Sequence, residues 1–296
     1  MSQAVPLTHD LLPTLRDFIF DQWRIDGARS EMHIGDVYVT LYFVAESDLE
    51  DSAALWYDRA GELQGVAFPG LTFDMVIRPE SCASPLAEDM IAWAISEAKR
   101  RNPDIRRIHV QRRPRLRERV LFLEDLGFRR SATGAVALER TLCEMLRAAN
   151  LPPGFTFRAL HIGDVPSRVR AFVDAFPGEP KLIADYERLM RCDGYEHSLD
   201  LVAVDESDEV AAFCSAWFDR VNRVGLFEPV GTCSRYRRMG LAQALLLEGL
   251  QRLKQLGATS AVIRARNNNA AAIACYRKCG FSIVSDTFGF ERDIDI

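Results

Sequence analysis

Moving the chain along itself by 153 positions carries Arg106 to Phe128 onto Thr259 to Phe281 without a gap, and Gly127-Phe128 lands on Gly280-Phe281. The same shift lays the strand-like Arg107-Ile108-His109-Val110 on Ser260-Ala261-Val262-Ile263, and the helical stretch Leu86 to Arg101 on Met239 to Lys254. Identity between the copies is low, but order and spacing agree. A repeat this long constrains the fold more than any local pattern, because both halves must build the same supersecondary unit. The chain reads as a tandem duplication, and its 296 residues give each copy enough length to bury a core.

Local patterning fills in the elements. In the first copy, Leu11 to Trp23 has helical spacing, and Tyr38 to Val44 is a β-branched and aromatic run that predicts a strand. Ala53 to Tyr57 and Leu63 to Phe68 flank the turn Asp58-Arg59-Ala60-Gly61 and should pair as a hairpin. Strands at Phe73 to Ile77, Arg107 to Val110 and Ala135 to Glu139 are expected, with helices at Leu86 to Arg101 and Arg115 to Asp125. Consecutive prolines and a glycine at Pro152-Pro153-Gly154 mark the connector. In the second copy the predicted strands are Phe155 to Leu160, Leu199 to Val204, Val210 to Trp217, Val224 to Val230, Ala261 to Arg264 and Phe288 to Arg292. Helices are expected at Asp164 to Phe176, Ile183 to Arg191, Leu241 to Leu256 and Ala270 to Lys278.

Between Leu226 and Phe281 the order is strand, basic glycine-bearing turn, long helix, strand, polar turn and second helix. The turn Arg237-Arg238-Met239-Gly240-Leu241-Ala242 presents backbone N–H groups at a helix start, and glycine lets an anion come close to the main chain. The string Arg237-x-x-Gly240-x-Ala242, followed by Asn269-x-x-Ala272-x-x-x-Tyr276-x-x-x-Gly280-Phe281, resembles the two acetyl-CoA motifs of GNAT-type N-acetyltransferases. Either half alone is a weak signal, and together they are specific. The resemblance implies an α/β (α+β) fold of two tandem GNAT-like domains, each a mixed, mostly antiparallel twisted sheet flanked by helices. Residues 1–147 would form a degenerate copy lacking the CoA motif, and residues 148–296 a catalytic copy. An inactive first copy ahead of an active second one is similar to the layout of the mycothiol synthases.

Carried onto this chain, the resemblance implies that Val230 and Thr232 offer main-chain donors to the acetyl and pantetheine groups. The turn Arg237, Arg238, Met239, Gly240, Leu241 and Ala242 would hold the pyrophosphate. Tyr276 would protonate the departing thiolate, its phenol suiting donation at neutral pH, although core packing also explains a tyrosine there. Asn269 would fix the pantetheine arm or the helix start, with Asn267 and Asn268 leaving the register open by a residue. Glu228, two residues before Val230, should project to the same side of its strand as Val230. It is a candidate base, or the partner of a nearby arginine. Asp219, Asn222 and Tyr195 are candidates for acceptor contacts, though turn chemistry also accounts for Asp219 and Asn222. Opposite Arg237, Arg238, Gly240, Ala242, Glu228, Asn269 and Tyr276 the first copy carries Ser84, Pro85, Ala87, Asp89, Met75, Leu116 and Leu123. Proline removes a donor and an aspartate repels a pyrophosphate, so the first copy reads as structural, covering an edge or face or walling the acceptor pocket.

The expected reaction is direct transfer of an acetyl group from acetyl-CoA to a primary amine of a small molecule, with no metal. The alternatives are a peptide or protein N-acetyltransferase and a non-catalytic acyl-CoA-binding or sensing module. A net charge of −5 argues against a general nucleic-acid binder, and the arginine run from Arg106 to Arg117 reads as solvated surface. No apolar run approaches membrane-spanning length and the amino terminus lacks a secretory pattern, so a cytoplasmic address is expected. Seven cysteines without Cys-x-x-Cys pairs fit reduced thiols, with Cys275 and Cys279 packing on one helix. Monomer and homodimer are both open.

Overall fold

The computed structural model describes residues 4–44, 48–70, 72–81, 85–112, 122–178 and 181–294. The first half builds β1 (Val5–Pro6), α1 (Leu12–Asp26), α2 (Ile34–Val39), α3 (Leu49–Ser52), β2 (Ala54–Tyr57), β3 (Leu63–Phe68), β4 (Thr72–Ile77), α4 (Pro85–Arg101), β5 (Arg107–Arg112) and β6 (Arg129–Thr141). The second builds β7 (Phe155–Ala159), α5 (Val165–Ala175), α6 (Ile183–Leu189), β8 (Asp200–Asp205), β9 (Val210–Asp219), β10 (Val224–Thr232), α7 (Leu241–Gln255), β11 (Ser260–Arg266), α8 (Ala270–Lys278) and β12 (Ser282–Asp293). Most expected elements fall within a few residues of these. The helix expected at Arg115 to Asp125 lies largely outside the described residues, with Phe122 to Asp125 helical.

Among the described residues twelve strands join in one sheet, in the order β1-β2-β3-β4-β5-β12-β6-β11-β10-β9-β8-β7. Pairing is antiparallel except for β4 with β5 and β10 with β11, each joined by the crossover helix α4 or α7. The repeat is visible in this order, which is pseudosymmetric about the β12–β6 pair. At that centre the copies exchange their last strands. β6 sits between β11 and β12, and β12 pairs with β5 on its other edge.

Exchange links the two cores. Val136, Leu138 and Leu142 of the β6 segment pack with α7 and Phe281 in the core of the second half, whereas Phe290 of β12 and Ile294 pack with α4 in that of the first. Alternation explains this, since every second residue of a strand faces one side.

The two copies also share a helix ending. Phe281 N–H donates to Tyr276 C=O at 3.1 Å and Gly280 N–H to Arg277 C=O at 2.9 Å, while Phe128 and Gly127 repeat both bonds to Leu123 and Glu124 at 2.9 Å. This is the Schellman pattern, and both glycines hold the left-handed conformation it needs, φ +87° and +81°. Gly280-Phe281 thus fixes the helix turn carrying Tyr276.

One expected strand is a helix. Tyr38 to Val44 spans the end of α2 and a π-helical turn, Thr40–Val44. Val37 and Leu41 enter the core beneath α1, while Val39 and Phe43 enter the core beneath α5. Each pair is spaced i, i+4, so a helix wedged between two cores produces a buried–exposed alternation that mimics the period of a strand. His33 starts α2 by accepting from Gly35 N–H through Nδ1 at 3.0 Å, while Asp36 accepts from His33 N–H at 2.6 Å. Among the described residues no helix is long and apolar enough to cross a membrane.

Candidate functional site

The parallel pairing of β10 with β11 covers only Val224–Phe227 against Ser260–Ile263. Beyond it the strands part, because β10 bulges: Phe227 opposes Ala216 and Val230 opposes Cys214, three steps against two. Trp217 Nε1–H donates to the Glu228 carbonyl at 2.7 Å and holds the bulge. The insertion reverses the side-chain alternation. Val230 packs against the core under α7, while Leu226 packs on the opposite face. The expectation that Glu228 and Val230 share a side therefore fails, since each lines a different cavity.

The first cavity, about 630 Å³, is lined by Val230, Gly231 and Thr232 of β10, the turn through Arg237, Arg238 and Gly240, the helix start Leu241 and Ala242, and Asn269 and Tyr276 of α8. Nine of the ten expected cofactor-binding residues meet there. Met239 does not line it and is 43% exposed. Cys233 N–H bonds to β9 at Ala211 O, 2.9 Å. Alternation then aims the N–H groups of Val230 and Thr232 away from β9, to the open edge.

Gly240 caps α7 at φ +85°, with no side chain to bond the helix start. The first bond back into the helix is Ala244 N–H to Gly240 C=O at 3.0 Å, so Leu241, Ala242 and Gln243 present N–H groups without intrahelical partners. Arg238 is left-handed as well, at φ +67°. Alternating backbone conformations of this kind form an anion-binding concavity at the positive end of the helix. The turn is anchored by Asp174 of α5, which accepts from Ser234 N–H and from its hydroxyl at 2.9 Å, and by Tyr236, whose hydroxyl donates to Asp205. Among the described residues, the charged ones lining this cavity are Arg237, Arg238 and Lys278, with no carboxylate.

Asn269, rather than Asn267 or Asn268, caps α8, its Oδ1 accepting from Ala272 N–H at 3.1 Å. One helical turn before the Schellman ending, Tyr276 is 8% exposed. Its hydroxyl has no hydrogen-bond partner among the described residues. Burial first, then the nearby Glu228 carboxylate, push its phenol well above the ordinary value, so it stays protonated and can only donate at neutral pH.

Glu228 faces a second cavity of about 230 Å³, lined by Glu31, Asp36, Thr40 and Asp74 from the first half and Glu228, Arg264 and Thr287 from the second. Among the described residues its lining holds four carboxylates and one guanidinium, and Arg264 Nη1 is paired with Asp36. This wall is the signal that sequence reasoning missed, because Glu31, Asp36, Asp74 and Arg264 belong to no local motif and meet only through the fold. Gln243, Cys275 and Lys278 of the first cavity lay beside the motif and follow from helical spacing.

Asp219, Asn222 and Tyr195 line neither cavity. Asp219 accepts from the N–H groups of Val221 and Asn222 at 2.9 Å and from Asn222 Nδ2 at 2.6 Å, and the same amide reaches Phe20 O at 3.1 Å. Tyr195 donates to buried Asp200 at 2.7 Å, alongside Tyr186 at 2.6 Å and Ser215 at 2.8 Å. In the first copy Leu123 is buried and Met75 lines the second cavity, while Ser84 and Leu116 lie outside the described residues.

With this geometry in view, residues 167–281 match the family model described as acetyltransferase (GNAT) family. A mycothiol acetyltransferase of Saccharopolyspora erythraea is 31% identical over 150 residues, covering 48% of each chain, so the alignment spans about half the length of that relative. A GCN5-related N-acetyltransferase from Sphaerobacter thermophilus superimposes with a TM-score of 0.70 at 19% identity, covering 100% of this chain and 98% of that one. A tandem GNAT protein from the clavulanic acid biosynthesis pathway gives 0.65 at 15% identity, covering 99% and 98%. These likenesses show the fold of the whole chain. Residues 167–281 are thus similar to the GNAT acetyltransferase family, and the chain as a whole has the fold of the tandem GNAT structures.

Proposed function

We propose that the protein transfers an acetyl group from acetyl-CoA to the primary amine of a small molecule, in one site per chain. The observation that carries this reading is the meeting, at the β10 bulge, of two cavities whose described linings differ in charge. The larger has three cations, a free helix start and Tyr276, and the smaller has four carboxylates including Glu228. An anionic thioester fits the first and a cationic amine fits the second.

The turn Arg237 to Ala242 holds the pyrophosphate through backbone N–H groups, and Val230 and Thr232 offer main-chain donors to the thioester arm. Acetyl-CoA supplies an activated acyl carbon. Glu228 takes a proton from the ammonium, the free amine attacks the carbonyl, and Tyr276 gives a proton to the departing thiolate. The amide forms as the thioester C–S bond breaks. Both halves wall the amine cavity, which gives the degenerate copy a role beyond covering an edge. Its 230 Å³ favours a small acceptor over a protein chain. The similarity to a mycothiol acetyltransferase supports including an unacetylated mycothiol precursor among the amines assayed. Six described cysteines are free thiols, which fits a reducing, cytoplasmic setting.

The test is acceptor-dependent release of free thiol from acetyl-CoA across a panel of amines. Release is expected with at least one small amine, slowed about a hundredfold by Tyr276→Phe and by Glu228→Gln. Tight CoA binding without acceptor-dependent thiol, unchanged in both variants, would identify a binding module instead.

A further inference from the structure

We infer that Arg140, carried by the last strand of the first copy, is a positioning residue for the chemistry of the second. It lies on β6 opposite Ala261 of β11, two residues beyond Leu138, and so faces the side where α7 and α8 pack. Its Nη1–H donates to the Cys279 carbonyl at the end of α8. The guanidinium lies flat against Gly280, where an added Cβ would meet Cζ and Nη1 at 3.0 Å and Nε at 3.2 Å. Glycine at 280 is favoured by its left-handed φ, and a Cβ there would press the guanidinium off its position.

The ending of α8 is closed from two sources. Phe281 and Gly280 N–H groups take the carbonyls of Tyr276 and Arg277, and Arg140 takes that of Cys279. A cation there also suits the negative end of the helix. Tyr276 lies three residues before the carbonyl that Arg140 holds, so the guanidinium clamps the turn from which the phenol projects. Shifted by 153 positions, Arg140 falls on Asp293, which pairs with Arg107 and Arg129. The repeat thus places opposite charges at equivalent positions, and the cation faces the helix that kept its tyrosine.

This role rests on Tyr276 being the proton donor, because a donor held off its position by a fraction of an ångström loses rate without losing cofactor affinity. The experiment is a double-mutant cycle in the full chain, with kcat and KM for acetyl-CoA measured per CoA-binding site. Arg140→Ala is expected to lower kcat about tenfold while KM moves less than about twofold, and Arg140→Lys to recover most of the rate. In a Tyr276→Phe background, Arg140→Ala should cost nothing further. An unchanged kcat, or the same tenfold loss without the phenol, overturns the positioning role. Should Arg140→Ala not fold, Arg140→Gln carries the same cycle, keeping an amide donor without the charge. If Tyr276→Phe alone leaves kcat unchanged, the proton-donor reading fails and the role of Arg140 falls with it. A slow Tyr276→Phe beside a normal Arg140→Ala sinks only the latter.

Discussion

Gly240 shows how much of this site depends on what a residue lacks. At φ +85° a side chain would be strained, although a Cβ there meets nothing within 4 Å. Gly240→Ala should therefore cost about 1 kcal/mol of stability through backbone strain alone, and Gly240→Asp should abolish CoA binding by placing a carboxylate at the helix start. Calorimetric titration with CoA checks the second, and thermal melting the first. The motif residues were legible because their work is local: a turn, a cap and a helix ending are each encoded within a few positions. Glu228 lines a cavity, but not the one that its spacing from Val230 implied. Its side was misjudged because the expected strand is interrupted at Pro229, a residue that central strands tolerate only at a bulge, and the bulge puts Glu228 and Val230 in different cavities.

At the scale of elements, α2 is the clearest departure from sequence patterning. Its residues satisfy two cores at once, a long-range condition that overrides β propensity. The helix also carries a buried titratable group. His33 is fully enclosed, and burial lowers its pKa to about 4, opposed by Asp36 and Asp219 and aided by Arg264. The unfolded chain, with a value of about 6.5, takes up the proton first as pH falls. Stability from neutral His33 is thus complete above about pH 6.5 and is lost as pH falls toward 4, by roughly 3 kcal/mol. Denaturant unfolding across that window should show the loss, and His33→Asn, which can still cap α2, should flatten it. A profile unchanged by the substitution would assign the loss to other groups.

For the whole molecule, the repeat was legible as a shift of 153 positions, whereas the strand exchange was not, because a strand's partner is set by packing and leaves no mark in its own alternation. Exchange makes the halves interdependent. Residues 148–296 expressed alone lack β6, which pairs with both β11 and β12, and so leave unpaired edges beside α8. That fragment should be unstable and inactive, and adding residues 1–147 in trans should restore both, as followed by thermal melting and thiol release. The charge difference between the two described linings is likewise a property of the assembled chain, since Glu31, Asp36 and Asp74 come from the first half and Glu228 and Arg264 from the second. The central claim is one working site per chain, in the second copy. Titration calorimetry of the full-length protein with CoA tests it most directly. One equivalent should bind per chain and vanish in Gly240→Asp; a second equivalent, or binding that survives the substitution, would contradict it.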